Sequence, residues 1–169
     1  MAQSTITRIV VTLDKPEIAP EVARVVQRLA SSAGGEVTLL RVLVPAGGER
    51  PRPAGDLAPL VDLAERRARA ELVQAGRALD GLAVRPEVIV GRDRAGEILA
   101  WLRAHAADWV VMGARERHGL RQLFFRSVVQ TVRAGSPTPV IAVYPAGGRQ
   151  PGRILSHPAA LGGRAVGAH

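Results

Sequence analysis

The sequence switches repeatedly between two hydrophobic periodicities, and this alternation limits the possible folds more than any other feature. Short runs rich in β-branched residues predict five strands, which cover residues 6–13, 36–44, 83–90, 109–112 and 140–144. Between them, apolar residues spaced three and four apart predict helices, which cover residues 20–33, residues 58–79, a segment capped by Asp93 and a segment that opens at Val128. The chain therefore reads βαβαβαβαβ.

Strands that alternate with helices and are apolar on both faces indicate a parallel sheet covered on each side. Right-handed crossovers then favour an open, doubly wound, Rossmann-like sheet, and we expect the strand order 3-2-1-4-5. Ligands of such sheets bind beyond the carboxyl ends of the strands, where the strand order reverses. Residues 14–16, 42–44 and 113–127 are therefore the segments expected at a ligand site.

A chain of 169 residues is long enough for one such domain and a tail. We expect residues 1–145 to form the domain and residues 146–169, which are rich in Gly, Pro, Ala and Arg, to form a flexible basic tail. No apolar run approaches the roughly 20 residues of a membrane span. The first residues also lack the pattern of a secretory signal, so we expect a cytoplasmic protein.

Motifs and composition exclude several kinds of site. The chain has no cysteine, which excludes disulfides, thiolate metal sites and thiol nucleophiles. It has no G-x-x-x-x-G-K-[ST], no H-E-x-x-H and no G-x-S-x-G motif, and no G-x-G-x-x-G follows the first strand. The four histidines have no spacing that would gather a metal ion. We therefore predict neither a catalytic residue nor a metal site.

Arginine carries almost all of the positive charge, which gives a formal net charge of +8. This excess suits either a nucleic-acid partner or the compositional bias of a GC-rich genome. Aromatic residues make up only 3% of the chain, so few side chains could stack on bases, and nucleic-acid binding is disfavoured. The most basic stretch of the domain is either an anion site or a solvated loop; its charged residues are Arg115, Glu116, Arg117, Arg121, Arg126 and Arg133.

The segment from Met112 to Val128 reads M-G-A-R-E-R-H-G-L-R-Q-L-F-F-R-S-V. With V-V-M-G at residues 110–113, P-V-I-A-V at residues 139–143 and Leu13-Asp14 at the end of strand one, it resembles the universal stress protein family. The resemblance covers about residues 5–144. In that family a glycine ends strand four, a second follows after two intervening residues, and a third follows after nine more intervening residues and precedes Ser or Thr.

The resemblance implies where a nucleotide would bind. In ATP-binding members the glycines and the hydroxyl hold the phosphates at a helix start, where backbone N–H groups favour anions. The aspartate that ends strand one and an apolar residue of strand two receive the nucleoside. The candidate binding residues in this sequence are Asp14, Val42, Gly113, Arg115, Gly119, Arg126 and Ser127.

Two residues depart from the family pattern, because Glu116 replaces the second glycine and Arg126 the third. A glutamate repels phosphate and carries a Cβ that glycine lacks. Arg126 adds bulk at the third glycine position. Its positively charged side chain could itself occupy the phosphate position and pair with Glu116 or Asp14. We therefore expect absent or weak ATP binding and assign no firm cofactor. The alternative is a nucleotide-binding switch or slow ATPase.

Each matching residue also has a purely structural explanation. Ser127 and Gln130 form the S-x-x-Q pattern of a capping box, which predicts a helix start at Ser127. Gly113 can simply end a strand, and Asp14 can close a turn. Their coincidence at the point where strand order reverses is what favours a binding site.

The last predicted strand, from Val140 to Tyr144, is apolar throughout and lies at an edge of the expected sheet. Exposed apolar edges are usually paired, and members of the family commonly dimerise by joining these edges. We therefore expect a homodimer through this strand that acts as a non-enzymatic stress-response module.

Overall fold

Strands and helices alternate through the computed structural model, which describes residues 7–30, 35–45, 58–113 and 121–144, with the backbone course alone at residues 58 and 121–127. In chain order the elements are β1 Thr7–Thr12, α1 Pro20–Ala30, β2 Gly35–Leu43, α2 Ala58–Gly76, β3 Ala83–Val90, α3 Arg94–Ala104, β4 Trp109–Gly113, α4 Arg121–Gly135 and β5 Val140–Val143. The expected tail, residues 146–169, lies outside the described residues.

The five strands form one parallel sheet in the order β3-β2-β1-β4-β5. This confirms the predicted doubly wound fold. The order reverses at β1, where Val10 lies opposite Thr38 of β2 on one side and opposite Val110 of β4 on the other. The carboxyl ends of β1 and β4 therefore flank the crevice in which such sheets bind ligands.

Alternate side chains of the strands enter two separate cores, because successive residues of a strand point to opposite faces. On one face, β1 and β2 pack against α1 and α2 through residues such as Val26 and Leu72. On the other face, Val10 of β1 and Leu40 of β2 pack against Leu102 of α3 and Val132 of α4. Burial of each large apolar side chain contributes about 1.5–3 kcal/mol, so both faces hold the sheet in place.

Asp93 is the N-cap of α3, as its position before the helix predicts. Its side chain accepts a hydrogen bond from the backbone N–H of Gly96 at 2.7 Å. A side chain at position 96 would crowd this cap, since a Cβ there would lie 2.9 Å from Asp93 Oδ2. The cap thus begins α3 close to the carboxyl end of β3.

An ion pair between sheet and helix fixes α2 on the sheet. Arg41 of β2 donates from Nη1 to Glu71 Oε2 at 2.5 Å, and Glu71 Oε1 also accepts a hydrogen bond from Arg67 Nε at 3.0 Å. These bonds, first that from Arg41 and then that from Arg67, hold the pKa of Glu71 below its ordinary value.

The apolar spacing of α2 predicts that Leu60 and Ala64 are buried with Ala68, Leu72 and Ala75, and this prediction is wrong over the first turns. Leu60 is 60% exposed and Ala64 is exposed, and the buried residues are Ala68, Leu72 and Ala75. The apolar spacing predicts which side of a helix is apolar, but not how far the sheet extends beneath it. None of the helices in the described part of the chain has the length and apolar character needed to cross a membrane.

The two edge strands differ in chemistry. At the β3 edge, the carbonyl oxygen of Pro86 accepts a hydrogen bond from Arg69 Nη1 at 3.4 Å, and Arg85 and Glu87 flank the proline. At the other edge, β5 consists of four buried apolar residues. The β3 edge is therefore polar and interrupted, whereas the β5 edge has neither proline nor charge.

Candidate functional site

The carboxyl ends of the strands enclose a small pocket at the point where the strand order reverses. Three candidate residues share it, namely Asp14 after β1, Val42 on β2 and Gly113 at the end of β4. The other lining residues are Thr12, Leu13, Leu40, Arg94, Ile98, Met112 and Val128. The fold therefore brings these three residues together where the topology predicts a ligand site.

The remaining candidate residues divide into two groups. Arg115 and Gly119 lie outside the described residues. Arg126 and Ser127 lie within α4, which begins at Arg121. The predicted helix start at Ser127 is therefore wrong, since the helix begins about a turn and a half before the serine. The residues from Arg121 to Gly135 include no proline, and the first glycine among them is Gly135 itself, so nothing in this stretch interrupts the helix.

The polypeptide holds Asp14 beside β2 by continuing the sheet beyond β1. The backbone N–H of Leu13 donates to the carbonyl oxygen of Leu40 at 2.9 Å, so the chain leaves the sheet only after this residue. Asp14 follows at once and lines the mouth of the pocket.

Arg94 occupies this mouth. Its Nη1 donates a hydrogen bond to Asp14 Oδ1, and the ion pair joins the end of β1 to the first turn of α3. The side chains are 43% exposed for Arg94 and 33% for Asp14. A pair this exposed contributes about 0.2–1 kcal/mol, so it closes the pocket with a contact that is weak in energy.

The pocket has a volume of about 40 Å³. One water molecule needs about 10–15 Å³, whereas ligand pockets measure about 300–1,000 Å³. With Arg94 paired to Asp14, the part of the pocket that the described residues border therefore accommodates a few water molecules, which is less space than a nucleoside needs.

The packing of the described residues does not require glycine at position 113. A Cβ there would lie 3.4 Å from Val22 Cγ2, which is an ordinary contact. In the described part of the chain a positive φ occurs at Gly81, with a φ of 79°, and not at Gly113. The structural explanation for this glycine is therefore weak.

The sequence reasoning missed Arg94, although a signal was present. Arg94 is the first residue of α3, where the helix dipole disfavours a cation. A cation at such a position gains from a nearby carboxylate, and Asp14 supplies one from 80 residues away in the sequence.

The predicted basic stretch is not one compact patch. Arg133 lies twelve residues after the start of α4, which is about 18 Å along the helix axis. Its Nε is buried without a hydrogen-bond partner among the described residues. Arg133 is therefore remote from the end of β4. No cluster of three potential metal ligands occurs within the ranges that the structure describes.

A profile described as the universal stress protein family matches residues 5–144 of this chain. The chain belongs to the universal stress protein family. The comparison with curated proteins found no significant match. The family match agrees with the parallel five-stranded sheet and with the position of the pocket at the carboxyl ends of its strands.

Solved structures of universal stress proteins and related chains have the same fold. The hypothetical protein MJ0577 superposes with a TM-score of 0.69 at 21% identity, over 84% of this chain and 98% of its own. The universal stress protein UspA from Lactobacillus plantarum gives 0.63 at 20% identity, over 80% and 96%. A universal stress protein in complex with cAMP gives 0.50 at 21% identity, over 82% and 97%. At these identities the likeness establishes the fold alone.

Proposed function

We propose that this universal stress protein is a cytoplasmic, homodimeric stress-response module whose ATP binding is weak or absent and which catalyses no reaction. The observation that carries the proposal is the ion pair between Asp14 and Arg94 across the mouth of the pocket. The carboxylate that matches the nucleoside-binding aspartate of the family already has a guanidinium partner.

The ion pair is weak, so it explains only a small loss of nucleotide affinity. Displacing a contact of about 0.2–1 kcal/mol lowers the affinity of a competing ligand by a factor of about 1.4 to 5. The ion pair therefore weakens nucleotide binding without abolishing it. Any larger loss is attributed to Glu116 and Arg126, which replace the second and third glycines of the family motif.

The dimer is proposed from the β5 edge. Val140, Ile141, Ala142 and Val143 form an outer strand whose backbone edge carries neither proline nor a charged side chain. Apolar edges of this kind normally pair with another strand. A second copy of β5 is the partner expected from the family resemblance, and sedimentation of the purified protein would test this directly.

The test of weak nucleotide binding is a calorimetric titration with ATP. The unmodified protein is expected to show no binding below millimolar concentrations. The double variant Glu116→Gly with Arg126→Gly is expected to gain binding, because both changes restore the family glycines. Micromolar binding of ATP by the unmodified protein would contradict the proposal.

A second candidate function is a nucleotide switch or slow ATPase that uses the same pocket. It is favoured by Gly113, which the described packing does not require, and by the related protein determined in complex with cAMP. Micromolar ATP affinity together with measurable phosphate release would support this alternative. Tight binding without hydrolysis would support the switch alone.

A further inference from the structure

A much larger groove lies at the opposite end of the sheet, where the amino ends of β1 and β2 meet the end of α3. Its volume is about 600 Å³, which falls within the range of small-molecule sites, about 300–1,000 Å³. No described residue lines both this groove and the pocket at the carboxyl ends. We call it the amino-end groove; its lining includes Arg8, Glu36, Thr38, Arg85, Trp101 and His105.

The groove exists because the sheet changes from apolar to polar on this face. Near the carboxyl ends, Ile89 of β3 and Val42 of β2 still pack against α3 and α4. Towards the amino ends, Arg85 and Thr38 take the equivalent places on the same two strands, directly opposite each other. Polar side chains there leave the sheet surface open to solvent instead of beneath a helix.

One wall of the groove is a fixed aromatic surface. The indole Nε1–H of Trp101 donates to Glu87 Oε1 at 2.6 Å, and Trp101 itself is only 8% exposed. The imidazole of His105 stacks on the indole, with ring centroids 4.1 Å apart and an angle of 11° between the planes. His105 Nδ1 also donates to the carbonyl oxygen of Trp101 at 2.9 Å. The exposed His105 ring is thus held in one orientation, and its Nε2 has no hydrogen-bond partner among the described residues.

The strands supply cationic and polar groups to the groove. Among the residues that the structure describes, neither the Arg85 guanidinium nor the Thr38 hydroxyl has a side-chain partner. Arg8 is partly neutralised by Asp108, at 3.6 Å from its Nε. A free guanidinium beside a hydroxyl suits a carboxylate or phosphate, which arginine binds through paired hydrogen bonds.

The acidic side chains of the groove offset much of its positive charge, but none of them pairs with Arg85 among the described residues. Glu87 is engaged by the indole of Trp101, and Glu36 lies opposite Arg8 on the neighbouring strand. Among the described residues, Arg8, Arg69 and Arg85 line the groove together with two glutamates, and Asp108 pairs with Arg8, so the formal charges balance. Arg85, which has no partner among the described residues, is therefore the position that favours an anion. The preformed aromatic wall favours an anion with a flat ring, since it offers a stacking surface.

We propose that the amino-end groove binds a small planar anion, an aromatic compound whose ring stacks on His105 and whose carboxylate or phosphate pairs with Arg85. This binding is independent of the nucleotide site proposed above. It also differs from that site in position, because the ligand lies over the amino ends of the strands.

The test uses benzoate and phenyl phosphate as separate probes, with benzamide as the uncharged control. The chain has two tryptophans, and their indole N–H signals are followed in a proton–nitrogen correlation spectrum. Trp101 lines the groove, whereas Trp109 packs in the core on the other face of the sheet. We expect a saturable shift of the Trp101 signal with at least one anion, an unshifted Trp109 signal and no saturation with benzamide.

Two variants separate the groove from general electrostatic attraction. Arg85→Gln is expected to weaken binding of the anionic probe about tenfold, as befits loss of a bidentate pair. Arg77→Gln removes the same charge from an exposed position outside the groove and is expected to change the affinity less than about twofold. Saturation by benzoate alone identifies the ligand as a carboxylate, and saturation by phenyl phosphate alone identifies it as a phosphate.

The proposal is overturned if neither anion gives a saturable shift of Trp101 at concentrations up to about 10 mM. It is also overturned if benzamide binds as tightly as benzoate, or if Arg77→Gln weakens binding as much as Arg85→Gln.

Discussion

The two ends of the sheet hold cavities of opposite character, although a single helix reaches both. At the carboxyl ends, Arg94 in the first turn of α3 pairs with Asp14 and leaves about 40 Å³. At the amino ends, Trp101 and His105 near the end of α3 border a groove of about 600 Å³. The fold alone predicts space at the first end. The side chains of α3 determine the volume of the cavity at each end of the sheet.

The largest expected effect concerns the amino end. Trp101→Phe keeps most of the packing but removes the indole N–H that donates to Glu87. Leaving this carboxylate without its donor is expected to lower the free energy of unfolding by about 1.5–3 kcal/mol. Urea denaturation measures the change. Trp109→Phe is the matched control, and an equal loss in both variants would show that the Glu87 bond contributes nothing.

The next prediction compares the Asp14–Arg94 ion pair with the less exposed ion pair of Glu71. Glu71→Gln removes the charge that binds Arg41 and Arg67, and it is expected to cost about 1–2 kcal/mol at neutral pH. The pKa of Glu71 is lowered on folding, so its stabilisation is full above its ordinary pKa and is lost as the pH falls through the lower folded value.

Urea denaturation at neutral pH and below about pH 4 checks this prediction, because the difference between Glu71→Gln and the unmodified protein should shrink in acid. Glu65→Gln, on the same helix and without an ion pair among the described residues, should show no such pH dependence. A Glu71→Gln difference that stays constant with pH would contradict an ionic origin.

A smaller effect is expected from opening the carboxyl-end pocket. Arg94→Ala frees Asp14 and enlarges the pocket, so the affinity for ATP should rise about 1.4- to 5-fold. Calorimetric titration measures this change most easily in the variant that also carries Glu116→Gly and Arg126→Gly. Arg103→Ala, at the other end of the same helix, removes the same charge and should leave the affinity unchanged. If Arg94→Ala lowers the affinity instead, Arg94 assists the nucleotide and does not compete with it.

The smallest effect concerns the stability of the amino-end groove. Arg85→Gln should change the free energy of unfolding by less than about 0.5 kcal/mol, because Arg85 is exposed and forms no ion pair in the described part of the chain. Thermal unfolding measures this change. A larger loss would mean that Arg85 has a structural role and would weaken the contrast between the two ends.

The sequence was sufficient for the topology and for the position of the first pocket, because both follow from periodicity and strand order. Asp93 was also predicted, since a cap depends on neighbouring residues. The Asp14–Arg94 pair was not, because it joins residues 80 apart through the relative placement of β1 and α3. The sequence did contain a signal for the groove. Arg85 and Glu87 occupy alternate positions of β3, so one face of this strand is polar and the strand is not apolar on both faces.

The chemistry of Pro86 bears on how many copies of this chain can assemble. The N–H and C=O groups of one strand residue point the same way, so the carbonyl that meets Arg69 places the proline nitrogen on the outer edge of β3. An incoming strand would find no donor there and an acceptor already engaged. Sheet growth is therefore disfavoured at β3 relative to β5. The proposed association through β5 would join the open edges of two chains and then terminate, which would give a closed pair of fixed stoichiometry instead of an open-ended filament.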